Sequence, residues 1–382
     1  MKPSGEKTNI YLNNAATSYP KPPCVLEAAL ETLRDLPPGQ FRDGAHGADA
    51  DLFTKCRLLL GQLLGIKDTE RIYFSSGATD SLNQLLLGLG IPAEQIITTV
   101  TEHNSVLRPL HNLPGIAGEP VLLPCDENGR VSPELLEREA SRGKARAVLL
   151  NHCSNVTGTI QDATSFGQIA KRYGLLFILD LSQSAGCMEV LSDVWMADAV
   201  AFTGHKSLLG LQGTGGYYIR EGVPYHPFRY GGTGRESEKL ACKADDPPED
   251  AGTQNACGIS ALSAAAAWIL ETGVGRIREK ELQLVRAARD MLSGIPGIRL
   301  CGGGSTDTGP VVSFIPETLD PSDLGYILSS GYRIITRTGL HCSPLIHPHI
   351  GSGRKGTVRI SFSPFNTPKD ISALESALKE IL

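Results

Sequence analysis

A lysine and an aspartate, each placed just past an apolar run, are the first residues in this chain with chemical potential. Lys206 follows Ala199-Val-Ala-Phe202 through the turn Thr203-Gly-His205, and glycines at 204 and 210 let the backbone bend tightly around it. Asp180 closes a second apolar run, Leu175-Leu-Phe-Ile-Leu179. A lysine can form a Schiff base, and an acid can keep a pyridine nitrogen protonated so that the ring accepts electrons. Together they are the minimum for holding pyridoxal 5'-phosphate. Each has a blander reading: Asp180 as a helix cap, Lys206 as a surface lysine. A carboxylate ending a buried strand must be paired or used, and the glycine-rich Gly213-Thr-Gly-Gly216 that follows disfavours an ordinary surface loop.

Other polar residues cluster at similar places. Ser75-Ser-Gly-Ala-Thr79 opens a helix, and small residues at a helix N-terminus let backbone N–H groups approach a phosphate. Thr203 and His205 flank Lys206 as further phosphate donors. Gln183, three residues after Asp180, could donate to a phenolic oxygen. His103 lies beyond an expected strand at 95–100, where an imidazole can stack on a ring and carry protons, although a lone strand-end histidine is more often structural.

A second centre lies far downstream. Tyr332-Arg-Ile-Ile-Thr-Arg337 reads as a strand, and Thr-Gly-Leu-His-Cys342 turns out of it. A thiol beside a histidine and basic residues can act as a nucleophile. The segment from Cys342 to Gly356 reads as a mobile loop. A metal site built from His341, Cys342, His347 and His349 matches no common zinc spacing, so no metal is expected. Cys187, near the cofactor strands, is the reserve thiol. Arg359 begins the last strand, where it could grip a substrate carboxylate through two parallel bonds or form a structural ion pair.

These residues need a scaffold. The chain has 382 residues, 41% of them hydrophobic and 20% charged, enough for two domains with a sizeable core. A net charge of -5 argues against a nucleic-acid surface. No apolar run approaches the roughly 18 residues that span a bilayer, and the first residues lack the apolar core of a signal peptide. Nine cysteines without a Cys-x-x-Cys pair suit reduced thiols in the cytoplasm. Between residues 71 and 220, apolar runs near 71–74, 95–100, 121–124, 145–150, 175–180, 199–203 and 215–220 alternate with helical patterns. That alternation predicts an α/β fold with a mostly parallel sheet covered on both faces. Its ligands should lie beyond the carboxyl ends of the strands. Residues 228–257 read as a long surface loop with an acidic stretch at 244–250, and 39–48 as another loop. A helix pair near 258–292 leads to a smaller α+β domain with strands near 298–302, 310–316, 332–337 and 357–362. We expect a large domain over 20–257 and a small one formed by 1–19 and 258–382.

The segments Tyr11-Leu-Asn-Asn-Ala-Ala16, Ser76-Gly-Ala-Thr79, Glu102-His103, Ser154-Asn-Val-Thr-Gly158, Asp180-Leu-Ser-Gln183, Thr203-Gly-His-Lys206, Ala251-Gly-Thr-Gln-Asn255, Arg337-Thr-Gly-Leu-His-Cys342 and Arg359 occur in one order along nearly the whole chain. In this the chain resembles the class V aminotransferase group of pyridoxal-phosphate enzymes, and within it the short-loop cysteine desulfurases and selenocysteine lyases. The resemblance implies the type I fold of pyridoxal-phosphate transferases. It implies Lys206 as the Schiff-base lysine, Asp180 as the pyridinium partner and His103 as the stacking acid/base. It places Gln183 at the phenolic oxygen, and Ala78, Thr79, Thr203 and His205 at the phosphate. Thr253 would serve the phosphate of a second subunit, hence a homodimer. Asn155, Arg359, Asn13 and Ala15 would receive the substrate's amino-acid end. Cys342 would attack the sulfur of L-cysteine, releasing L-alanine and leaving a persulfide for an acceptor protein, for iron-sulfur assembly or another sulfur route. L-selenocysteine is the alternative substrate. A class V transaminase or β-lyase needs no thiol, and a non-catalytic sulfur-handling scaffold should lack Lys206, Asp180 or His103. The sequence departs from the desulfurase pattern at Leu340, where that branch has a second histidine, and in a slightly longer stretch from Cys342 to Arg359.

Overall fold

The computed structural model describes residues 9–34, 48–232, 238, 240, 251–302 and 308–382. The chain opens with strand β1 (Ile10–Tyr11), helix α1 (Pro23–Arg34) and helix α2 (Ala48–Leu64). Strand β2 (Ile72–Ser75) and helix α3 (Ala78–Leu89) follow, then β3 (Ile96–Thr99), α4 (Asn104–Asn112), β4 (Val121–Leu123), α5 (Pro133–Ala140), β5 (Ala147–Asn151) and α6 (Ala163–Tyr173). Strands β6 (Leu176–Asp180), β7 (Ala199–Thr203) and β8 (Gly215–Ile219) complete this part. Helices α7 (Ala256–Thr272) and α8 (Val274–Ser293) lead to β9 (Ile298–Cys301), β10 (Val311–Pro316), α9 (Pro321–Tyr332), β11 (Ile334–Ile335), β12 (Arg337–Gly339), β13 (Thr357–Ser361) and α10 (Pro368–Ile381).

The large sheet has seven strands in the order β2-β8-β7-β6-β5-β3-β4, and only β8 runs antiparallel to its neighbours. Its strands read as continuous apolar runs because helices cover both faces. Val148 and Leu150 of β5, Phe177 and Leu179 of β6, and Val200 and Phe202 of β7 point into one core. Their alternates Ala147, Leu149, Ile178, Ala199 and Ala201 point into the other.

The small domain is a four-stranded antiparallel sheet, β12-β13-β10-β9, with a separate parallel pair of β1 and β11. Its core gathers Val312, Phe314, Val358 and Ile360 with Leu284 and Leu292 of α8 and Leu374 of α10. Helix α10 starts with a capping box: the Asp370 carboxylate accepts from the Thr367 backbone N–H (2.9 Å), with Pro368 in the first turn. Leu12 is buried in this core, so the first described residues belong to it.

The cores change hands inside α8. Ala261, Leu262, Ala265, Ala266 and Ile269 of α7, with Ile277 of α8, sit in the large domain's core, whereas Leu284 onward serve the small one. Residues 39–47 and the acidic stretch 244–250 lie outside the described residues. Among the described residues no single helix is long and apolar enough to cross a membrane.

Candidate active site

Strands β3, β5, β6 and β7 run parallel, so their carboxyl ends open on one side. Beyond them lies a cavity of about 180 Å³ lined by Ser76, Gly77, Ala78, Thr79, Asp80, His103, Ser105, Asn151, Asn155, Asp180, Ser182, Gln183, Thr203, His205 and Lys206. The expected convergence of strand-end residues is therefore observed. Helix α3 points its N-terminus at this cavity, and its cap, Gly77, supplies no side chain to cover the first N–H groups. At φ 139° Gly77 adopts a backbone conformation that L side chains avoid. The result is an open cradle of backbone donors suited to an anion. Asp80 stands at its edge, with its Oδ2 already accepting from Ser76 N (3.0 Å) and Ser76 Oγ (3.1 Å).

Asp180 is buried, and its Oδ1 accepts from the N–H and hydroxyl of Ser182. These two bonds fix the carboxylate while leaving Oδ2 outside them. Gln183 donates to the Ala15 carbonyl (3.0 Å), tying the N-terminal segment to the site. His205, which precedes Lys206, offers its carbonyl to Ser18 N (3.0 Å), Ser18 Oγ (3.1 Å) and Lys21 Nζ (2.9 Å). His205 Nδ1 is buried without a partner among the described residues, a polar atom available to a ligand. The donor set, the bare helix N-terminus and the lysine–aspartate pair fit pyridoxal phosphate.

The thiol lies opposite, on the small domain. Arg337 Nη2 donates to Cys342 Sγ at 3.3 Å. Strand pairing sets Arg337 directly across from Arg359, so two guanidiniums share one side of the small sheet. Arg359 is fully buried; Nη1 donates to the Asn155 carbonyl (3.0 Å), Nη2 to Asn13 Oδ1 (3.1 Å), and Nε has no partner among the described residues. A buried guanidinium with an idle donor and another cation beside it has the chemistry to receive a carboxylate.

The segment after Cys342 is anchored, which corrects the expectation of a mobile loop. Ile346 and Ile350 pack with Val156 and Cys301 in a core of their own. His347 is buried, bonded through Nδ1 to Ser352 Oγ (2.6 Å) and through Nε2 to the Leu340 carbonyl (3.1 Å). Prolines and glycines make this stretch look loose in sequence, but its isoleucines give it something to bury. His341 is buried, its Nε2 bonded to Thr357 Oγ1 (2.8 Å). The polar neighbour of the thiol is Arg337, which the sequence places only at a strand end.

Burial and charge tune the groups around the cavity. Desolvation pushes the Lys206 amine down to about 8; Arg359 and Arg337 push the same way, and Asp180 opposes them. Burial, then Lys206 and the three arginines Arg337, Arg359 and Arg108, pushes His103 down to about 3, so it is neutral at physiological pH. Its Nδ1 accepts from Ser105 N (3.0 Å) and caps α4, which leaves Nε2 as the other ring nitrogen. Glu102 is wholly buried beside this site and was not among the expected site residues. Its Oε1 accepts from Thr99 Oγ1 (2.8 Å) and Asn151 N (3.0 Å). Burial raises it to about 8, so it stands as a neutral acid.

Of the expected residues, Ala78, Thr79, His103, Asn155, Asp180, Gln183, Thr203, His205 and Lys206 line one cavity. Arg359 and Asn13 meet each other, and Ala15 N donates to Ser361 Oγ (2.8 Å) at the domain seam. Thr253 is exposed and lines no part of this cavity. Cys187 is buried, donating to the Gln183 carbonyl (3.2 Å), and burial raises its thiol well above the usual range. It is therefore a structural thiol. Among the described residues no group of three or more His, Cys, Asp or Glu side chains could hold a metal ion.

The aminotransferase class-V family profile matches residues 10–374. A probable cysteine desulfurase of Pyrococcus abyssi is 31% identical, over 98% of this chain and 94% of its own length. A cysteine desulfurase structure from Thermococcus onnurineus, in its apo form, superposes with a TM-score of 0.87 at 32% identity, covering 98% of this chain and 94% of that one. A cysteine desulfurase from Escherichia coli, determined as the S-sulfonic acid, gives a TM-score of 0.83 at 27% identity, over 98% and 95% of the two chains.

Proposed function

This chain belongs to the aminotransferase class-V family, and from that premise we propose that it is a pyridoxal-phosphate-dependent cysteine desulfurase that converts L-cysteine to L-alanine. The observation that carries the reading is Cys342, with its sulfur on the Arg337 guanidinium, on a turn joined to the cap of the helix that carries His103. Asn104 N donates to the Cys342 carbonyl at 2.6 Å. Transamination has no use for such a thiol. The compact turn at Cys342 also supports the short-loop group within the family.

Lys206 would hold pyridoxal phosphate covalently, and Asp180 would face its ring nitrogen. The α3 N-terminus, Thr203 and His205 would take the phosphate, His103 the ring face and Gln183 the phenolic oxygen. When bound, the cofactor supplies an electron sink for the pair released at the substrate's Cα. The residues do the rest. Arg359, with its idle Nε, receives the substrate carboxylate. Lys206 takes the Cα proton, a task suited to an amine whose ammonium form loses its proton near pH 8. The Cys342 thiolate attacks the substrate Sγ: an S–S bond forms, the C–S bond breaks, and its electron pair stays with the carbon fragment. That fragment gains protons and leaves as L-alanine. The persulfide sulfur passes to the thiol of an acceptor protein, for iron-sulfur assembly or a related use.

We also propose a homodimer in a reducing compartment. Helix α1 presents Leu26, Leu30 and Leu33 to solvent on one face (Leu33 is 69% exposed), and Thr253 is free to serve a neighbouring site. Sedimentation velocity measures the dimer directly. The activity test supplies L-cysteine and a reductant to the pyridoxal-phosphate-loaded protein and quantifies alanine and sulfide. Wild type should yield both in equal amounts, while Cys342→Ala and Lys206→Ala should yield neither above background. Full activity in Cys342→Ala would refute the persulfide route, and keto-acid release by wild type would favour transamination.

A further inference from the structure

We propose that Ser343 and Asn155 form a clamp across the domain seam that aims Cys342 Sγ, so that Ser343 is a positioning residue for the nucleophile. The proposal rests on the desulfurase reading for its purpose but not for its geometry. His341 and Cys342 lie at φ 52° and 60°, two successive non-glycine residues in the left-handed region. Side chains make that region unfavourable, and a pair in sequence persists only where surrounding bonds impose it. The bonds are present. Asn155, from the segment after β5, donates through Nδ2 to the His341 carbonyl (2.7 Å). Ser343 Oγ donates to Asn155 Oδ1 (2.8 Å), and Ser343 N donates to the Leu340 carbonyl (2.9 Å).

One side-chain amide of the large domain thus grips the strained turn on both sides of Cys342. Ser343 is completely buried and Asn155 is 5% exposed, so water does not compete for these bonds. The Asn155 carbonyl also takes Arg359 Nη1 (3.0 Å), which couples the carboxylate receptor to the same clamp. Asn155 lines the cavity, and its side-chain amide is bonded to the loop through both its nitrogen and its oxygen, with Ser343 holding the oxygen.

The test is the alkylation rate of Cys342 by iodoacetamide, followed by peptide mass spectrometry on the full-length protein as purified, without L-cysteine. Ser343→Ala should change that rate about two- to tenfold, the span of one buried hydrogen bond. Asn155→Ala should change it in the same direction, and the double variant should add little to the larger single effect. Ser343→Thr, which keeps the hydroxyl, should return the rate toward wild type. In turnover, Ser343→Ala should lower kcat with KM for L-cysteine unchanged. An unaltered alkylation rate in Ser343→Ala overturns the clamp. So does an effect confined to Asn155→Ala and to KM, which would return Asn155 to substrate binding. Asn155→Asp keeps the acceptor for Ser343 and removes the donor to His341, so it decides the matter should Ser343→Ala not fold. Alkylation needs no desulfurase activity, so the clamp and the function can fail separately.

Discussion

In the proposed reaction Lys206 has two tasks that an ordinary lysine does badly near neutral pH: forming a covalent link and taking a proton. Burial lowers its affinity for a proton, and Arg359 and Arg337 add to this by crowding positive charge into the same space. Asp180 acts against them, so the balance is set by residues from both domains. Competitive acylation of the full-length protein, freed of cofactor and read by mass spectrometry at the Lys206 peptide, should show a pH midpoint near 8. Asp180→Asn should lower that midpoint further, because the carboxylate, ahead of Cys342, is the larger of the two neighbours that favour the ammonium form. A midpoint above pH 10 in the wild type would mean that the site does not desolvate the amine.

Much of this was legible at the level of single residues. Asp180 and Lys206 each follow a buried strand, and a polar residue there has few structural uses, so their pairing could be read from spacing alone. The role of Arg337 could not. It touches Cys342 because β12 pairs antiparallel with β13 and the following turn folds back on it. Asn155 and His341 are likewise brought together over 186 positions of sequence, a distance across which no local pattern operates.

At the scale of elements, strand ends and helix starts do the positioning. The strand expected at 199–203 is the one found, because Ala199, Val200, Ala201 and Phe202 alternate between two separate cores before the chain reaches Thr203 at the cavity. The segment 340–356 defied its composition because its few isoleucines reach a buried cluster. Helix α3 makes a sharp test of the cradle. Gly77 sits at φ 139° in a region closed to side chains, and its N–H precedes the free donors at the helix start. Gly77→Ala should cost about 1–3 kcal/mol of stability. It should also weaken pyridoxal-phosphate binding, measured by fluorescence titration of the cofactor-free protein. Gly90→Ala at the other end of α3, also left-handed at φ 58°, should show a stability loss without the binding loss. If both variants bind the cofactor as wild type does, the α3 terminus is not the phosphate cradle.

At the scale of the whole molecule, the same burial that tunes the site sets how the protein meets acid and base. Burial holds His103 down to about 3 and His205 to about 4, and it also lowers His341 and His347. Between those values and the ordinary 6.5, the unfolded chain binds protons that the folded one refuses, so stability is lost as pH falls through this window. Two acids pull the other way. Burial raises Glu102 to about 8 and Glu281 well above 4.5. The folded protein keeps their protons while the unfolded chain gives them up, so their contribution is complete below 4.5 and is lost as pH rises toward 8. Four histidines outweigh two carboxyls on the acid side, and the carboxyls act alone once the histidines are neutral in both states. Thermal denaturation at fixed ionic strength should therefore give a Tm profile over pH 4–8 with its maximum between about pH 6 and 7. Glu102→Gln isolates one limb. The amide imitates the neutral acid, so at pH 5 the variant should melt close to wild type, and its advantage should grow steadily to pH 8. Parallel Tm profiles for variant and wild type would show that Glu102 is ionised in the folded protein, and a charged Glu102 beside Asp180 would need a cation that this site otherwise reserves for the cofactor.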